Sequence, residues 1–268
     1  MLPLNDKKRN ENLIFFHLTL LPSIGNVLPM LGLLYIVSTP IGNLEDITLR
    51  ALSVLKGVSV IAAEDTRETG ILLAHHQIHT PLTSYHDFNK EEKAPVLIAK
   101  LKEGMSVALV SDAGTPTISD PGYFLINQAT LAGISITPIP GPSAAIAALS
   151  ISGLPTDRFA FEGLLPKKKA ARVKRLMALL SDTHTLIFFE SPYRVLDLLT
   201  DINAVFGNRK IVIGREMTKK FEEVIRGDVQ EVLSRLKDRK LLGEFTLVVE
   251  GMRVEKKHET DKDISIAS

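Results

Sequence analysis

Short apolar runs alternate with segments of helical periodicity from residue 33 onward, and this alternation limits the folds that the chain can adopt. Residues 33–37 form the first apolar run, which predicts a buried strand. The segment 44–57 predicts one helix, because its apolar residues recur at three- and four-residue spacing until Gly57. These residues are Leu44, Ile47, Thr48, Ala51, Leu52 and Leu55. An apolar run at 58–63 predicts the next strand, and strand, helix, strand is the order of βαβ units around a mainly parallel sheet.

The remaining predicted elements fall into two sets on either side of the turn-rich segment 153–157. The first set adds strands at 106–110 and 134–139, with helices that begin near Pro121 and Pro142. The second set has more strands than helices, which favours a mixed sheet. Its strands are predicted at 159–163, 185–189, 210–214, 222–226 and 245–249, and its helices begin near Lys167, Pro192 and Asp228. The sequence therefore predicts an α/β domain at 30–152 and an α+β domain at 153–251.

Composition excludes several kinds of site. The chain has 268 residues and no cysteine, so disulfides, thiolate ligands and cysteine nucleophiles are ruled out. The formal net charge is only +1, so any surface that binds nucleic acid must be local. His75, His76 and His79 are close in sequence, but no framework of further ligands accompanies them, and we expect no metal site.

The two ends of the chain are predicted to lie outside the domains. Residues 1–29 contain a basic triplet and an apolar run, as a secretory signal does, but Pro22, Gly25 and Pro29 interrupt this pattern. We therefore predict a leader or non-essential extension at 1–29 and a cytoplasmic protein. No other apolar stretch has the length needed to cross a bilayer, so no membrane partner is expected. The charged composition of 252–268 predicts a flexible tail.

Three turns rich in glycine, proline and small hydroxyl residues follow predicted strands of the first domain, at 38–44, 111–122 and 140–145. In open α/β sheets, ligands bind beyond the carboxyl ends of the strands, so these turns are the first candidates for function. Each leaves backbone groups accessible to a ligand, although a single turn of this kind is more often only a tight connection. None matches the glycine pattern of dinucleotide sites or the P-loop, so neither site is supported.

These turns also carry a resemblance to a known family. Residues 37–52 resemble the opening of the tetrapyrrole methylase superfamily, and 111–116 and 140–144 resemble its second and third cofactor-binding segments. Within that superfamily, the chain is similar to the ribosomal RNA small-subunit methyltransferase I family at 63–67, 189–194, 214–219 and 243–246. The resemblance extends from about Leu34 to Gly251. One departure is Ser38-Thr39-Pro40, where many tetrapyrrole methylases have Gly-x-Gly, so we expect this loop to face a nucleic-acid substrate.

The resemblance implies two α/β domains with a cofactor cleft between them, a homodimer and no metal. It implies S-adenosylmethionine as the cofactor and methylation of a cytidine 2'-hydroxyl in small-subunit (16S) ribosomal RNA, as free RNA or in the small ribosomal subunit. The residues expected to hold the cofactor are Pro40, Asp112, Ala113, Gly114, Thr115, Ser143, Ala144, Glu190, Ser191, Met217 and Thr246.

A carboxylate near the 2'-hydroxyl would assist the reaction as a general base. Asp112 and Glu64 are the leading candidates, followed by Asp65 and Glu190. Two alternatives stay open: Glu64, Asp65 and Thr66 also suit the N-terminus of a helix, and Asp112 also suits a loop that it braces through backbone N–H groups.

A basic cluster at the start of a predicted helix is the candidate RNA contact. It comprises Lys167, Lys168, Lys169, Arg172, Lys174 and Arg175. A solvated helix face is the alternative, but cations are unfavourable at a helix N-terminus, which favours phosphate binding instead. Further basic residues that would extend this surface are Arg67, Arg194, Arg215, Lys219 and Lys220. Tyr85, His86 and Tyr193 are candidates to stack on an extruded base.

Two other functions remain open at the level of sequence. A methylase of precorrin-type tetrapyrroles would use the same cofactor site with a wide and less basic substrate cleft. A non-catalytic RNA-binding module would bind RNA without using S-adenosylmethionine.

Overall fold

The computed structural model describes residues 31–253, which form two five-stranded sheets with helices packed on their faces. The predicted leader at 1–29 and all but two residues of the predicted tail at 252–268 lie outside the described residues. No helix within the described part of the chain is long and apolar enough to span a membrane.

The first sheet is entirely parallel, which confirms the prediction for this half of the chain. Its strands are β1 (Leu33–Val37), β2 (Val60–Ala63), β3 (Leu82–Ser84), β4 (Val107–Val110) and β5 (Ser135–Ile139). They lie in the order β3-β2-β4-β1-β5. β3 was not predicted, because this edge strand has only three residues and none is fully buried.

Helices cover both faces of the first sheet. The helices of this half are α1 (Leu49–Gly57), α2 (Thr66–His75), α3 (Lys90–Lys102), α4 (Tyr123–Leu131) and α5 (Ala144–Ser150). On one face, α1 and α2 bury an apolar cluster that includes Leu55 and Leu72, and on the other α3 and α4 bury one that includes Leu101 and Leu125.

The prediction of one continuous helix at 44–57 was wrong. A short 3-10 helix at Leu44–Asp46 is followed by extended backbone at Ile47, and α1 begins only after Thr48. The Thr48 hydroxyl accepts a hydrogen bond from the Ala51 N–H at 3.1 Å, as an N-cap does. Thr48 therefore starts a new helix instead of contributing to the apolar face of a longer one.

The second sheet is mixed, as predicted. Its strands are β6 (Phe159–Leu164), β7 (Thr185–Glu190), β8 (Lys210–Arg215), β9 (Glu223–Asp228) and β10 (Phe245–Val249). They lie in the order β6-β7-β10-β8-β9, and only β6 and β7 pair in parallel. Three helices, α6 (Lys169–Ala178), α7 (Val195–Phe206) and α8 (Val229–Leu236), bury a large apolar cluster against one face of this sheet.

The helix α5 covers the opposite face of the second sheet. Its Ala145, Ala148 and Leu149 are buried in one cluster with Ile187 of β7 and Val212 of β8. This helix follows β5 of the first sheet, so it joins the two halves through packing as well as through the chain. The domain boundary predicted at 152/153 falls just after α5 and stays a prediction.

Candidate active site

Three loops of the first half meet because they follow neighbouring parallel strands, β4, β1 and β5. The Thr39 N–H donates to the carbonyl of Gly114 at 2.8 Å, and the Gly114 N–H donates to the carbonyl of Thr39 at 3.0 Å. The Thr115 hydroxyl donates to the carbonyl of Pro142 at 3.2 Å and lies 2.9 Å from the Ser38 hydroxyl. The three loops therefore form one hydrogen-bonded surface at the edge of the sheet.

Two glycines shape these loops, one through close packing and the other through its backbone conformation. A Cβ atom at Gly141 would lie 2.9 Å from the Cβ of Ser38, so a larger residue would push the first and third loops apart. Gly114 has a φ of 78°, in the left-handed region that glycine adopts without steric cost. Both residues thus have a structural reason to be glycine in this surface.

The second half supplies the facing wall. Since β10 runs antiparallel between β7 and β8, its first residue, Phe245, pairs with the last residues of both, Glu190 and Arg215. The two halves enclose a cavity of about 330 Å³, named here the interdomain cavity. Nine of the eleven residues expected to hold the cofactor line it: Ala113, Gly114, Thr115, Ser143, Ala144, Glu190, Ser191, Met217 and Thr246.

A second cavity, of about 380 Å³, lies beside the first. It is formed by the loop after β1, the first turns of α2 and the loop after β4, together with Lys219 and Glu244 of the second half, and we name it the α2 cavity. Pro40 and Asp112, the other two residues expected to hold the cofactor, line this cavity. Ile41, Ala113 and Glu244 line both cavities, so the two spaces adjoin.

Three carboxylates near these cavities, Glu64, Asp112 and Asp120, interact electrostatically. Burial, followed by the negative charges of Asp112 and Asp120, raises the pKa of Glu64 to about 7. Burial also raises the pKa of Asp120 to about 6, although a hydrogen bond from the Ser111 side chain opposes the shift. Asp112 accepts a hydrogen bond from the Asp65 N–H at 2.8 Å. The site therefore contains carboxyl groups that exchange protons close to neutral pH.

Asp120 lines the interdomain cavity but was not among the predicted site residues. It lies in the predicted loop 111–122, between Ser119 and Pro121. Thr117 and Ser119 have left-handed backbone conformations, with φ of 76° and 68°. The loop therefore turns sharply just before Asp120, which lines the cavity. The signal in the sequence that could have identified Asp120 was an acidic residue inside a loop already predicted to bind a ligand.

Asp65 is a helix cap and not a general base. Its side chain accepts a hydrogen bond from the Arg67 N–H at 2.8 Å at the start of α2. Hydrogen bonds from the Arg67 side chain, more than any other cause, lower its pKa to about 2. The alternative assignment of this segment to a helix N-terminus is thus confirmed for Asp65. The other alternative, in which Asp112 braces its own loop, differs from what the structure shows: Asp112 accepts its hydrogen bond from Asp65 in the loop after β2 and so joins two loops.

Glu190 lines the interdomain cavity, but its carboxylate is buried and paired within the protein. The side chain is fully buried, accepts a hydrogen bond from the Ser191 N–H at 2.8 Å and forms an ion pair with Arg194 at 2.9 Å. A general base must reach the proton that it removes. The prediction of Glu190 as a catalytic candidate was therefore wrong, and its part in the site is structural.

The predicted RNA contacts separate into exposed and buried groups. Lys167, Lys168 and Lys169 are exposed at the start of α6, three to five residues after Leu164 of the interdomain cavity. The Arg67 side chain is also exposed, at 88%, and is paired with Asp65.

Arg172 is buried and was wrongly predicted as an RNA contact. Its guanidinium lies 2.7 Å from a carboxylate oxygen of Asp201 on α7, and both side chains are 4% exposed. Because the positions of Arg172 and Leu176 lie four residues apart on α6, both point towards the core. Arg172 therefore holds α6 against α7.

Three other predicted RNA contacts are engaged within the protein. Arg194 donates to the carbonyl of Leu165 at 2.7 Å, in addition to its ion pair with Glu190. Arg215 donates to the carbonyl of Leu242 at 2.7 Å. Their side chains are only 21% and 17% exposed, so binding phosphate would first require these contacts to break.

Lys219 is the third predicted RNA contact that is engaged within the protein, and it lies in the wall of the α2 cavity. Its ammonium group bridges Glu216 and Glu244, at 3.1 Å and 2.9 Å. Burial acts against the charged form, but the hydrogen bonds to these carboxylates prevail and raise the pKa of Lys219. Lys219 therefore carries a fixed positive charge at this wall, already neutralised by two carboxylates.

The predicted stacking residues also differ in accessibility. Tyr85 is 1% exposed and belongs to the core between α3, α4 and the first sheet, so its prediction as a base-stacking residue was wrong. His86 is partly buried, whereas Tyr193 is 89% exposed and accessible to a ligand. Among residues 31–253, no group of three histidine, aspartate or glutamate residues is arranged to hold a metal ion.

Solved structures of other proteins have the same two-domain fold. Uroporphyrin-III-C-methyltransferase from Thermus thermophilus superposes with a TM-score of 0.59 at 24% identity, covering 81% of this chain and 94% of that one. Diphthine synthase superposes with a TM-score of 0.65 at 16% identity, covering 82% and 90%. These likenesses show the fold.

Sequence relatives identify the family to which the chain belongs. The family model for tetrapyrrole (corrin/porphyrin) methylases matches residues 33–233. "Ribosomal RNA small subunit methyltransferase I" of Escherichia coli O157:H7 is 52% identical over 84% of this chain and 79% of that one. The protein of the same name from Bacillus subtilis is 46% identical over 87% and 80%. The chain therefore belongs to the tetrapyrrole methylase family and, within it, to the ribosomal RNA small subunit methyltransferase I family.

Proposed function

We propose that this protein transfers the methyl group of S-adenosylmethionine to the 2'-hydroxyl of a cytidine in small-subunit ribosomal RNA. The observation that carries the proposal is the interdomain cavity, which brings nine of the predicted cofactor residues together from both halves of the chain. Membership of a ribosomal RNA methyltransferase family supports the substrate class.

The residues of the interdomain cavity fit S-adenosylmethionine. The cofactor has a positive sulfonium and a flat adenine ring, and the cavity offers the carboxylate of Asp120 together with apolar surface from Ile118, Leu164 and Met217. Ala113 and Thr115 add backbone polar groups for the cofactor. A volume of about 330 Å³ lies within the range of small-ligand sites, about 300–1,000 Å³.

The protein's part in the reaction is to align the groups and to accept a proton. When bound, S-adenosylmethionine supplies an electrophilic methyl group, which passes to the ribose oxygen as its bond to sulfur breaks. Alignment of this kind lowers a barrier by about 7–11 kcal/mol. In our proposal Asp112, which lines the α2 cavity next to the shared wall, accepts the 2'-hydroxyl proton. Glu64 sets the electrostatic potential around it.

The effect of Glu64 predicts a dependence of the reaction on pH. Since its pKa is about 7, Glu64 is neutral below that pH and charged above it, where its negative charge attracts the proton that leaves the 2'-hydroxyl. We expect the single-turnover rate of methyl transfer to rise through pH 7 in the native protein. Glu64→Gln should remove this step. A step of the same size in the variant would exclude Glu64 as its origin.

The exposed lysines at the start of α6 predict a salt-dependent interaction with RNA. Replacing Lys167, Lys168 and Lys169 together with glutamine should weaken RNA binding and reduce the slope of log K against log salt by about 0.7–0.9 for each phosphate that is no longer neutralised. The measurement is a fluorescence titration at several salt concentrations. A triple variant at Lys100, Lys102 and Lys56 is the matched control, and an unchanged slope for the α6 variant would remove this surface from the proposal.

The direct test of function follows the methyl group. Purified protein is mixed with labelled S-adenosylmethionine and small ribosomal subunits, and the RNA is digested to nucleosides. Label in 2'-O-methylcytidine is the expected result. Cofactor binding without labelled RNA would indicate that the substrate is a tetrapyrrole-like small molecule. RNA binding without cofactor binding would indicate a non-catalytic RNA-binding module.

The proposal includes a homodimer that acts in the cytoplasm. The support for both is the family resemblance, and large apolar side chains at the surface, such as Phe88 at 99% exposure and Leu131 at 75%, are candidates for a subunit contact. Light scattering of the purified protein measures the oligomeric state, and a monomer at micromolar concentration would refute the dimer.

A further inference from the structure

The α2 cavity is placed to receive the group that accepts the methyl. It shares a wall with the interdomain cavity at Ile41, Ala113 and Glu244, so a ligand in one space contacts the edge of the other. Asp112, the proposed proton acceptor, lines the α2 cavity. Its volume of about 380 Å³ falls in the range of sites for single small ligands.

The walls of the α2 cavity suit one face of a planar base. Leu44, Ile71 and Leu72 provide aliphatic surface, and the side chain of Ile71 is 59% exposed although it lies in a concave site. Burying the exposed surface of this isoleucine under a flat apolar group would be favourable in free energy. A base that acts as a substrate leaves its RNA stack and inserts into such a pocket, where it contacts apolar side chains.

Glu68 provides an uncommitted hydrogen-bond acceptor in this cavity. In the described part of the chain its carboxylate forms no ion pair or hydrogen bond, whereas Asp112 accepts from the Asp65 N–H and Glu244 is paired with Lys219.

The position of Glu68 makes this freedom unusual. In a capping box, the glutamate three residues after the N-cap of a helix accepts a hydrogen bond from the N-cap N–H. In α2 the N-cap is Asp65, and its N–H donates to Asp112 instead. Glu68 is thereby released from its usual partner and left beside the α2 cavity.

A free carboxylate discriminates between pyrimidines. Cytosine presents an amino donor at C4, which a carboxylate accepts, whereas uracil presents a carbonyl oxygen there, which a carboxylate repels. We propose that the α2 cavity binds the flipped target nucleotide of the RNA, and that Glu68 selects cytidine over uridine by accepting a hydrogen bond from its exocyclic amine. This inference rests on the proposed function and adds the site and the residue that read the base.

The test compares two RNA substrates that differ only in cytidine or uridine at the target position. We expect the native protein to methylate the cytidine substrate with the higher kcat/KM. In Glu68→Gln, the amide accepts less strongly from cytosine and donates to uracil, so the ratio of cytidine to uridine kcat/KM should fall about 10- to 100-fold. Equilibrium binding of the same two RNAs without cofactor should lose its preference in parallel.

Glu91→Gln is the matched control, because Glu91 is also an exposed glutamate in the first turn of a helix, α3, and lines neither cavity. The ratio of cytidine to uridine kcat/KM in Glu91→Gln should equal that of the native protein. If the native protein methylates RNA and Glu68→Gln keeps the native ratio, the inference is overturned while the proposed function stands. If the native protein methylates neither RNA, the proposed function itself fails.

Discussion

Asp112→Asn is expected to lower the rate of methyl transfer by about 10²- to 10⁴-fold, the range that a positioned general base contributes. Asparagine keeps the shape of the side chain, and its amide oxygen still accepts the hydrogen bond that Asp112 receives from the Asp65 N–H at 2.8 Å. It cannot accept the proton of the ribose hydroxyl. The measurement is the single-turnover rate at saturating S-adenosylmethionine and RNA.

Two controls separate this effect from damage to the loop. Titration calorimetry of Asp112→Asn with S-adenosylmethionine should give the native affinity, because Asp112 lines the α2 cavity and not the interdomain cavity. Asp46→Asn, on the short 3-10 helix after β1, should leave the rate unchanged because Asp46 is exposed and lines neither cavity. Native turnover in Asp112→Asn would show that another group accepts the proton.

Arg172→Met is expected to lower the free energy of unfolding by about 3–5 kcal/mol, because it leaves the carboxylate of Asp201 buried without its partner. Lys169 lies 3.9 Å from the same carboxylate, but its side chain is 76% exposed and replaces only part of the missing interaction. Urea denaturation measures the change.

The Arg172 prediction has both a matched control and a rescue. Arg235→Met removes an ion pair with Glu231 on α8, where the two side chains are 54% and 50% exposed, and should cost no more than about 1 kcal/mol. The double variant R172M/D201L should recover most of the stability, since no buried charge remains. If Arg172→Met is as stable as the native protein but binds RNA more weakly, Arg172 contacts RNA as first predicted.

The sequence predicted the parts of the fold that depend on local patterns. Apolar runs of strand length predicted nine of the ten strands, and loops rich in glycine and small residues predicted where the cavities form. The missed strand, β3, is too short for periodicity to detect.

Errors arose where tertiary contacts decide the role of a side chain. Arg172 was grouped with its exposed neighbours because charge alone does not show which face of a helix is buried. Its spacing to Leu176 and Leu179 contained that information. Glu190 and Tyr85 were selected for their chemistry, but their burial follows from strands and helices distant in sequence. The freedom of Glu68 depends on a hydrogen bond between two loops, which no sequence pattern encodes.

The packing of α5 determines how this protein can be divided into fragments. A fragment that ends at residue 152 would retain α5 but lack β7, β8 and β10, and Ala145, Ala148 and Leu149 would then face water. A fragment that begins at residue 153 would leave Ile187, Val212 and Val248 uncovered on one side of its sheet. A cut before Ser143 keeps this cluster in one piece but divides the loop that binds Thr115. Each choice therefore sacrifices either a hydrophobic interface or the candidate site, and we expect the two halves to unfold as one cooperative unit.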